Sequence, residues 1–446
     1  MDLLRQIYDA GVVGAGGAGF PTHKKLNCKV EYLIINGAEC EPLLKTDQYL
    51  MRNKGNQLVA TAVLVGESIG ASHVIFALKK KYVSEARILQ EAIEKTNVRV
   101  ELFFLEGIYP AGDEQILVYE VTGRTVEPGG IPLSVSTVVS NVSTIFNISE
   151  AINNKPVTSR YVTVTGEVRK PVIAKVPMGT AVMECIEAVG GASLKGYSVI
   201  MGGPMMGKIL GMQQLRNRYI TKTDGGIIVI PEDHYLVHRD SVPIEHIINQ
   251  AKSACIQCSY CTDMCPRYLI GHRLRPHRIM RAIAMGAEND EIYNEALICC
   301  ECGICELYAC PMGLSPRKVN IYVKNRLRSK GIKFSNTGIN FSYSAMRDFR
   351  KIPQGRLINR IDMAKYDRKV DDTVIELHPE KVCIPLKQHI GVSAAPVVSQ
   401  GEEVREGQLI ASVDYDWIGA NIHASIDGRI EEISSTHIII KSAGLR

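Results

Sequence analysis

Two short runs of cysteine constrain this chain more than any other feature of its sequence. Nine of the 13 cysteines lie in residues 255–265 and 299–310, and a proline follows the last cysteine of each run. The first run reads C-x2-C-x2-C-x3-C-P, and the second has the same pattern with one extra residue before its last cysteine. Clustered cysteines in a long chain without a visible secretory signal indicate metal binding rather than disulfide bonds.

The spacing within each run is that of a bacterial ferredoxin [4Fe–4S] cluster, where the fourth cysteine of a run ligates the other cluster of the pair. The predicted ligands are Cys255, Cys258, Cys261 and Cys310 for one cluster, and Cys299, Cys302, Cys305 and Cys265 for the other. Cys300 is then left over, although it could take the place of its neighbour Cys299. Zinc is the weaker alternative, because zinc sites use separated C-x2-C pairs. Two adjacent clusters suit the transfer of electrons.

The overall composition limits the classes of protein to which the chain can belong. Its 446 residues are too many for one hydrophobic core and predict several domains. A formal net charge of +5 is small for this length and argues against a nucleic-acid partner. No apolar run reaches the roughly 18 residues of a membrane-spanning helix, and the N-terminus shows no secretory signal. We therefore expect a protein of the cytoplasm or of a compartment filled from it.

The N-terminal region predicts an α/β domain with a ligand site. Residues 12–25, VVGAGGAGFPTHKK, crowd glycines into a loop whose backbone N–H groups can approach a phosphate or a flat ring. A buried-strand pattern within residues 32–47, helical spacing over 56–70 and a strand pattern at 73–78 follow the loop. Acidic and amide side chains come directly after the first strand, where α/β sheets present ligand-binding groups.

Several motifs in this region resemble the flavin-binding subunit that respiratory complex I and RnfC share. The chain matches its glycine loop at residues 16–23, its Asn-x-x-Glu-x-Glu-Pro turn at 36–42, its Gly-Glu-Glu turn at 112–114 and its Asn-Val-x-Thr segment at 141–144. The resemblance implies a Rossmann-like domain over residues 1–155 that holds non-covalent FMN, with NADH as the electron donor stacked above it. The implied cofactor-binding residues are Gly14, Gly16, Gly17, Gly19, Phe20, Lys25, Asn36, Glu39, Glu41, Gly112, Asp113, Glu114, Asn141 and Thr144. Alternatively, the acidic side chains among them form only a solvated rim.

Four further segments complete the predicted architecture of this α/β multidomain chain. Residues 156–235 resemble the β-grasp (SLBB) domain of the same family, and 250–330 form the α-helical, two-cluster ferredoxin-like domain. Residues 331–370 lack a persistent apolar period and are interpreted as a connector. Residues 371–446 resemble the β barrel-sandwich hybrid of biotinyl and lipoyl domains, but the expected hairpin tip at 424–428 has no lysine to modify. This C-terminal module is therefore interpreted as a docking module within a protein complex.

The order of the modules, with the flavin loop first and the barrel-sandwich last, resembles that of the PduS-type cobalamin reductases of bacterial microcompartments. That resemblance covers nearly the whole chain and implies an NADH-dependent flavin and iron–sulfur oxidoreductase that reduces a corrinoid, cob(III)alamin or cob(II)alamin. The alternative is an RnfC-like input subunit that feeds NADH electrons to a partner redox protein, for example in a methylenetetrahydrofolate reductase complex. Five arginines between the cysteine runs either lower the local negative charge, dock an acidic partner, or form a solvated helix face.

Overall fold

A computed structural model describes residues 2–96, 99–287, 290–335, 342–368, 370 and 373–442. The first module spans the glycine loop and the predicted α/β segments. Its elements are α1 (Leu3–Asp9), α2 (Thr22–Lys25), β1 (Tyr32–Gly37), α3 (Thr46–Asn53), α4 (Gly55–Ser68), β2 (His73–Lys79), α5 (Val83–Glu94), β3 (Val100–Leu105), β4 (Ile108–Tyr109), α6 (Glu114–Thr122), a 3₁₀ turn (Pro132–Val135), β5 (Thr137–Asn141) and α7 (Val142–Ile152).

The strands of this module form a parallel sheet in the order β3-β2-β1-β5. Both faces of β1 are buried, which explains its continuous run of apolar residues. Leu33 and Ile35 pack into the core beneath α3, α4 and α7, whereas Ile34 packs into a second core against α6. The predicted Rossmann-like class is therefore confirmed, and the carboxyl ends of β1 and β5 lie side by side.

The second module is built on a mixed sheet in the order β12-β7-β6-β10-β8-β9, in which β12 (Val374–Glu376) comes from later in the chain. Its elements are β6 (Ser159–Gly166), β7 (Val172–Pro177), α8 (Val182–Ala188), β8 (Tyr197–Met201), β9 (Lys208–Leu210), α9 (Met212–Leu215) and β10 (Gly226–Pro231). Helix α8 packs across this sheet. Gly190 and Gly191, which the sequence marks as a helix stop, both have positive φ just after α8. This is the predicted β-grasp arrangement.

The cysteine-rich module is helical, and the predicted pair of cysteine runs lies in its loops and in two short helical turns, which contain Cys261 and Cys305. Its elements are α10 (Tyr235–Ser241), α11 (Ile244–Ala254), α12 (Tyr260–Asp263), α13 (Pro266–Leu269), α14 (Pro276–Ala284), α15 (Asp290–Asn294), a 3₁₀ turn (Glu295–Ile298), a π-helical turn (Ile304–Tyr308) and α16 (Pro316–Ser329). Each run is followed at its Cys-Pro by a turn or a short helix. No helix in the described part of the chain is long and apolar enough to span a bilayer.

The segment that the sequence predicts as a connector contains short elements that pack into the interior. These are a 3₁₀ turn (Arg347–Phe349), β11 (Ile352–Pro353), α17 (Gln354–Arg360) and a second 3₁₀ turn (Ala364–Tyr366). β11 pairs with β4 of the first module, and Leu357 and Ile361 are fully buried in a core that also contains Tyr109 and Ile304. The segment thus lies between the first module and the cysteine-rich module.

The C-terminal module consists of two small antiparallel sheets, β13-β19-β18-β15 and β14-β16-β17. Its strands are β12 (Val374–Glu376), β13 (Lys381–Pro385), β14 (Ala395–Pro396), β15 (Glu403–Val404), β16 (Leu409–Ser412), β17 (Ile422–His423), β18 (Gly428–Ile433) and β19 (His437–Lys441). β12 belongs to the β-grasp sheet, where it pairs with β7. The other strands enclose one apolar core and form the predicted barrel-sandwich.

The barrel-sandwich packs against the start of the chain. The Tyr8 hydroxyl on α1 donates to the Val413 carbonyl, and the Tyr8 ring contacts that of Tyr415. The fully buried Lys222 amino group of the β-grasp module donates to the carbonyls of Gly11 at 2.7 Å and Asn421 at 2.6 Å. Burial lowers the pKa of Lys222 to about 7. One side chain therefore joins the first, second and last modules.

Candidate functional site

The glycine loop lies between α1 and α2 and is closed by backbone pairing. The Gly14 N–H donates to the Phe20 carbonyl at 2.9 Å. At Gly19 a Cβ atom would lie 2.5 Å from the Cβ of His389 on the barrel-sandwich, so only glycine fits there. At Gly17 a Cβ would meet no atom within 4 Å. One side of the loop therefore packs against protein, and the other side, at Gly17, is open to a ligand.

The two predicted asparagines lie at the ends of adjacent strands, as expected for the carboxyl edge of a parallel sheet. Asn36 and Asn141 are register partners in β1 and β5. Asn36 donates to the Gly112 carbonyl at 2.9 Å, while Asn141 caps α7 by accepting from the Ser143 N–H at 2.8 Å. The Thr144 hydroxyl accepts from the N–H of Ala15 at 2.9 Å. These side chains bring the glycine loop, the end of the sheet and the start of α7 together.

Two charged residues that the sequence analysis missed hold this arrangement in place. Asp47 is buried and accepts hydrogen bonds from Asn141 at 2.7 Å and from the Ser143 hydroxyl at 2.9 Å. Arg160, buried on β6, donates to the Ala15 carbonyl at 2.7 Å and to the carbonyls of Lys222 and Asp224. Neither residue belongs to a motif, and Arg160 lies more than 140 positions from the loop it supports. Only the tertiary structure reveals their role.

The acidic side chains of the predicted site fall into two environments. Glu39, at φ +39°, is 8% exposed and accepts from the Asp47 N–H at 2.9 Å and from Gln48 at 2.8 Å. Burial, reinforced by the nearby Asp47 carboxylate, raises the pKa of Glu39 to about 7. Glu41 accepts from the Met205 N–H at 2.9 Å, and burial raises its pKa to about 7 as well. Glu39 is therefore an interior group, and Glu41 is half-buried, so neither belongs to a fully solvated rim.

The remaining predicted residues lie nearer the surface of the same edge. Glu114 and Lys25 form an ion pair at 2.7 Å with both side chains partly exposed, and Phe20 is 36% exposed. Asp113 caps α6 by accepting from the N–H groups of Gln115 and Ile116. A Cβ at Gly112 would lie 2.9 Å from that of Cys40, so this turn also needs close backbone approach. The structure therefore gathers all the predicted flavin and nucleotide residues at one edge of the sheet.

The cysteines of the two runs surround two separate cavities. One cavity is lined by Cys265, Cys299, Cys302 and Cys305, together with Cys300. We call the first four thiols the proximal cradle. The other cavity is lined by Cys255, Cys258, Cys261 and Cys310, which we call the distal cradle. Each cradle combines three cysteines of one run with the last cysteine of the other, which is the set that the ferredoxin spacing pairs.

Both cradles fit a [4Fe–4S] cluster better than a single ion. Among the described residues, no three cysteine, histidine, aspartate or glutamate side chains converge closely enough to hold one metal ion. Four thiols around a cavity instead match the wider footprint of a cubane. Cys299 and Cys300 both line the proximal cavity, so the choice between them stays open. A hydrogen bond from the Cys302 thiol lowers the pKa of Cys300 to about 7.

The proximal cradle is joined to the sheet edge by two side chains. The buried Tyr109 hydroxyl donates to the Cys302 carbonyl at 2.8 Å and lies 3.5 Å from the Glu41 carboxylate. Arg267, 8% exposed, pairs with Asp113 at 2.9 Å and also hydrogen-bonds the Cys300 thiol. The predicted flavin and nucleotide edge and the proximal cradle are therefore in direct contact, and the cavity of the distal cradle is a separate one.

Models of four protein families match the chain in the order of its modules. The Nuo51 FMN-binding domain matches residues 7–150, and the SLBB domain matches 161–208. The 4Fe-4S dicluster domain matches residues 254–315, and the RnfC barrel sandwich hybrid domain matches 363–444. FMN and two [4Fe–4S] clusters are therefore the cofactors of this chain, and the predicted fold class is confirmed for each module.

Curated relatives match over most of the chain. The cobalamin reductase PduS of Citrobacter freundii is 40% identical over 440 residues, which cover 98% of this chain and 96% of that protein. The protein of the same name from Salmonella typhimurium is 39% identical over 441 residues, with the same coverage. A component of the Na⁺-translocating ferredoxin:NAD⁺ oxidoreductase complex of Acetobacterium woodii is 32% identical over 273 residues, 60% of this chain and 58% of that component. The chain is thus an iron–sulfur flavoprotein oxidoreductase.

Proposed function

The chain belongs to the family of the cobalamin reductase PduS, and on that premise we propose that it oxidises NADH and reduces a corrinoid, cob(III)alamin or cob(II)alamin. The observation that supports this most is the contact between the sheet edge and the proximal cradle through Tyr109 and Arg267. An electron that arrives at the edge meets a cluster site directly. Membership of the family also supports a location in the cytoplasm or in a microcompartment filled from it.

We assign the open side of the glycine loop to FMN. Gly14, Gly16, Gly17 and Gly19 let the backbone approach the ligand, and Asn36, Asn141 and Thr144 set the position of the loop against the end of the sheet. Asp47 and Arg160 hold the same arrangement through hydrogen bonds to Asn141 and to the Ala15 carbonyl. When bound, FMN takes the electron pair of NADH and releases it singly to clusters that carry one electron each.

We assign the outer part of the edge to NADH. Phe20 offers a partly exposed ring for stacking, and the Lys25–Glu114 pair lies on the same side. Glu39, Glu41 and the turn at Gly112 and Asp113 line the inner part. Because Glu39 and Glu41 have pKa values near 7, they can be neutral while the negatively charged dinucleotide binds.

The thiols hold the clusters in a fixed order. The thiols of the proximal cradle would hold the cluster nearer the flavin edge, because Tyr109 and Arg267 attach this cradle to that edge. The thiols of the distal cradle would hold the second one-electron carrier beside it, because each cysteine run contributes its last thiol to the other cradle.

A second candidate function is electron input for a larger complex. The similarity to a component of a ferredoxin:NAD⁺ oxidoreductase complex and the match of the C-terminal module to the RnfC barrel sandwich favour it. In that case the acceptor is a partner redox protein, and the barrel-sandwich is the docking module of the complex. NADH would still reduce the flavin and both clusters.

An anaerobic absorbance titration separates the two candidates. Protein loaded with FMN and both clusters is titrated with NADH and then given one addition of hydroxocobalamin. Bleaching of the flavin and cluster bands, followed by their recovery as reduced corrinoid appears, is the result expected of a cobalamin reductase. If NADH bleaches the bands but the added corrinoid stays oxidised, the result supports the role of electron input. If NADH does not bleach the bands, both candidate functions are excluded.

A further inference from the structure

The distal cradle lies beneath a surface that differs from the surroundings of the proximal cradle. Ile256 and Met312 line its cavity and are 61% and 42% exposed. Tyr260 precedes Cys261, which is a predicted cluster ligand, and is 47% exposed. These three large apolar side chains are exposed around one site, and exposed apolar patches mark interaction surfaces. We call Ile256, Tyr260 and Met312 the apolar rim.

Exposed cations lie close to this rim in the sequence. Lys252 lies one turn before Cys255 on α11, and Arg278 follows His277, which lines the distal cavity. Arg281 lies one turn further along α14, on the same exposed face as Arg278. Within the described residues, these three side chains are exposed and form no ion pair, whereas Arg273 and Arg275 of the same module pair with Glu295.

Among the described residues of α11 and α12, acidic groups do not balance the cations. Asp263 on α12 is only partly exposed and accepts a hydrogen bond from the Ser259 hydroxyl at 3.2 Å. Glu245 is exposed but lies at the far end of α11, more than two turns from the cradle. The surface above the distal cradle therefore combines an apolar centre with a positive border, the arrangement that complements an acidic protein face.

We propose that electrons leave the chain at the apolar rim, to an electron-accepting protein that docks there with an acidic face. This inference takes the source of the electrons from the proposed function and the class of acceptor, a partner redox protein, from the second candidate function; it adds the exit and the charge of the partner. The rim excludes water over the cluster site, while Lys252, Arg278 and Arg281 attract and orient the partner. One electron passes from the distal cluster to the partner's oxidised centre in each encounter.

Two small haem proteins of opposite charge serve as probes. Cytochrome b5 is acidic and cytochrome c is basic, and each takes one electron with a clear absorbance change. The cluster-loaded chain is reduced with dithionite, desalted and mixed with either cytochrome in a stopped-flow instrument at low salt. This design does not depend on NADH, so the exit surface is tested even if the proposed function is wrong. A parallel mix with NADH tests the function through bleaching of the flavin.

The test variant is R278E/R281E, and R278Q/R281Q is its milder form. The control R169E/R216E makes the same change in net charge at two exposed arginines of the β-grasp module. Iron and flavin contents confirm that each variant is loaded. We expect R278E/R281E to reduce cytochrome b5 about ten-fold more slowly than the wild-type chain and cytochrome c faster. The control R169E/R216E should reduce both cytochromes at the wild-type rates.

Salt supplies a second readout, since screening should remove the preference for cytochrome b5. The rates of cytochrome reduction by R278Q/R281Q should lie between those of the wild-type chain and those of R278E/R281E. The proposal is overturned by equal rates for the two cytochromes at low salt. It is also overturned if R169E/R216E slows cytochrome b5 as much as R278E/R281E does, because the effect is then one of total charge.

Discussion

The proximal and distal cradles arise from nearly the same sequence motif but lie in different surroundings. In the proximal cradle, Cys265, Cys302 and Cys305 are buried, and Tyr109 and Arg267 tie the site to the first module. The distal cradle opens on exposed Ile256 and Met312. Spacing thus determines which thiols come together, while the neighbouring modules determine whether a site is an entrance or an exit for electrons.

Removing one thiol from each cradle should give the largest contrast. We expect Cys302→Ala and Cys258→Ala each to lose one cluster, about half of the iron and sulfide, and to keep FMN. With NADH, the Cys258→Ala chain should still show a reduced cluster by electron paramagnetic resonance. The Cys302→Ala chain should reduce its flavin but transfer almost nothing onward. Full iron content in either variant would contradict the ligand assignment.

Breaking the link between Arg267 and Asp113 should have the next largest effect. Arg267 and Asp113 have side chains only 10% and 13% exposed, so Arg267→Gln leaves a buried carboxylate without its partner. We expect the free energy of unfolding to fall by about 3–5 kcal/mol, measured by denaturant titration. Arg87→Gln is the control, because its pair with Glu91 is exposed and should contribute less than about 1 kcal/mol. An equal loss of unfolding free energy in Arg267→Gln and in the control would mean that the buried pair stabilises the chain no more than an exposed pair does.

The stability of the chain should also depend on pH through Glu41, which lies beside the proximal cradle. Because the pKa of Glu41 rises from 4.5 to about 7 in the folded chain, the folded state binds more protons than the unfolded state between these values. Stability should therefore fall as pH rises from 4.5 to 7, by roughly 3 kcal/mol at most from this group. Glu41→Gln should make the slope in denaturant titrations across this range less steep, and Glu39, whose pKa is also raised to about 7, should account for the rest. Glu245→Gln, at an exposed position of α11, should leave the slope unchanged. A slope as steep in Glu41→Gln as in the wild-type chain would contradict the contribution of Glu41.

The smallest expected effect belongs to a single hydroxyl. Tyr109→Phe removes the hydrogen bond to the Cys302 carbonyl and should cost about 1 kcal/mol of unfolding free energy. Tyr260→Phe, at the exposed rim of the distal cradle, should cost nothing measurable. Electron paramagnetic resonance should show a changed proximal signal in the first variant only. Identical spectra for both variants and the wild type would mean that Tyr109 does not act on the cluster.

Local patterns predicted much of this molecule because they depend on neighbours in the sequence. The strand predicted within 32–47 forms at its start, over Tyr32–Gly37, and the helix over 56–70 and the glycine stop at 190–191 lie where periodicity and turn residues place them. The residues that reach across modules could not be predicted. Arg160 supports a loop far away in the sequence, and nothing beside it in the chain indicates that contact. The burial of Glu39 depends on α3 packing over its turn.

The segment interpreted as a connector illustrates the same limit. Its apolar residues are too few for a persistent period, yet Leu357 and Ile361 complete a core between the first module and the cysteine-rich module. The predicted cradle ligands and flavin residues are gathered as expected, but their roles stay predictions until the variants above are measured. Sequence patterns could indicate the sites, and the packing of separate modules shows how they connect.

The packing of the barrel-sandwich on α1 has an evolutionary consequence. Because Tyr8 and Lys222 attach that module to the start of the chain, its native neighbours would be the same if its coding segment were moved in front of the flavin module. A circular permutation of this kind would need a new linker and no new interface. Gene rearrangements could therefore reorder the modules of such proteins while their assembled shape is inherited unchanged.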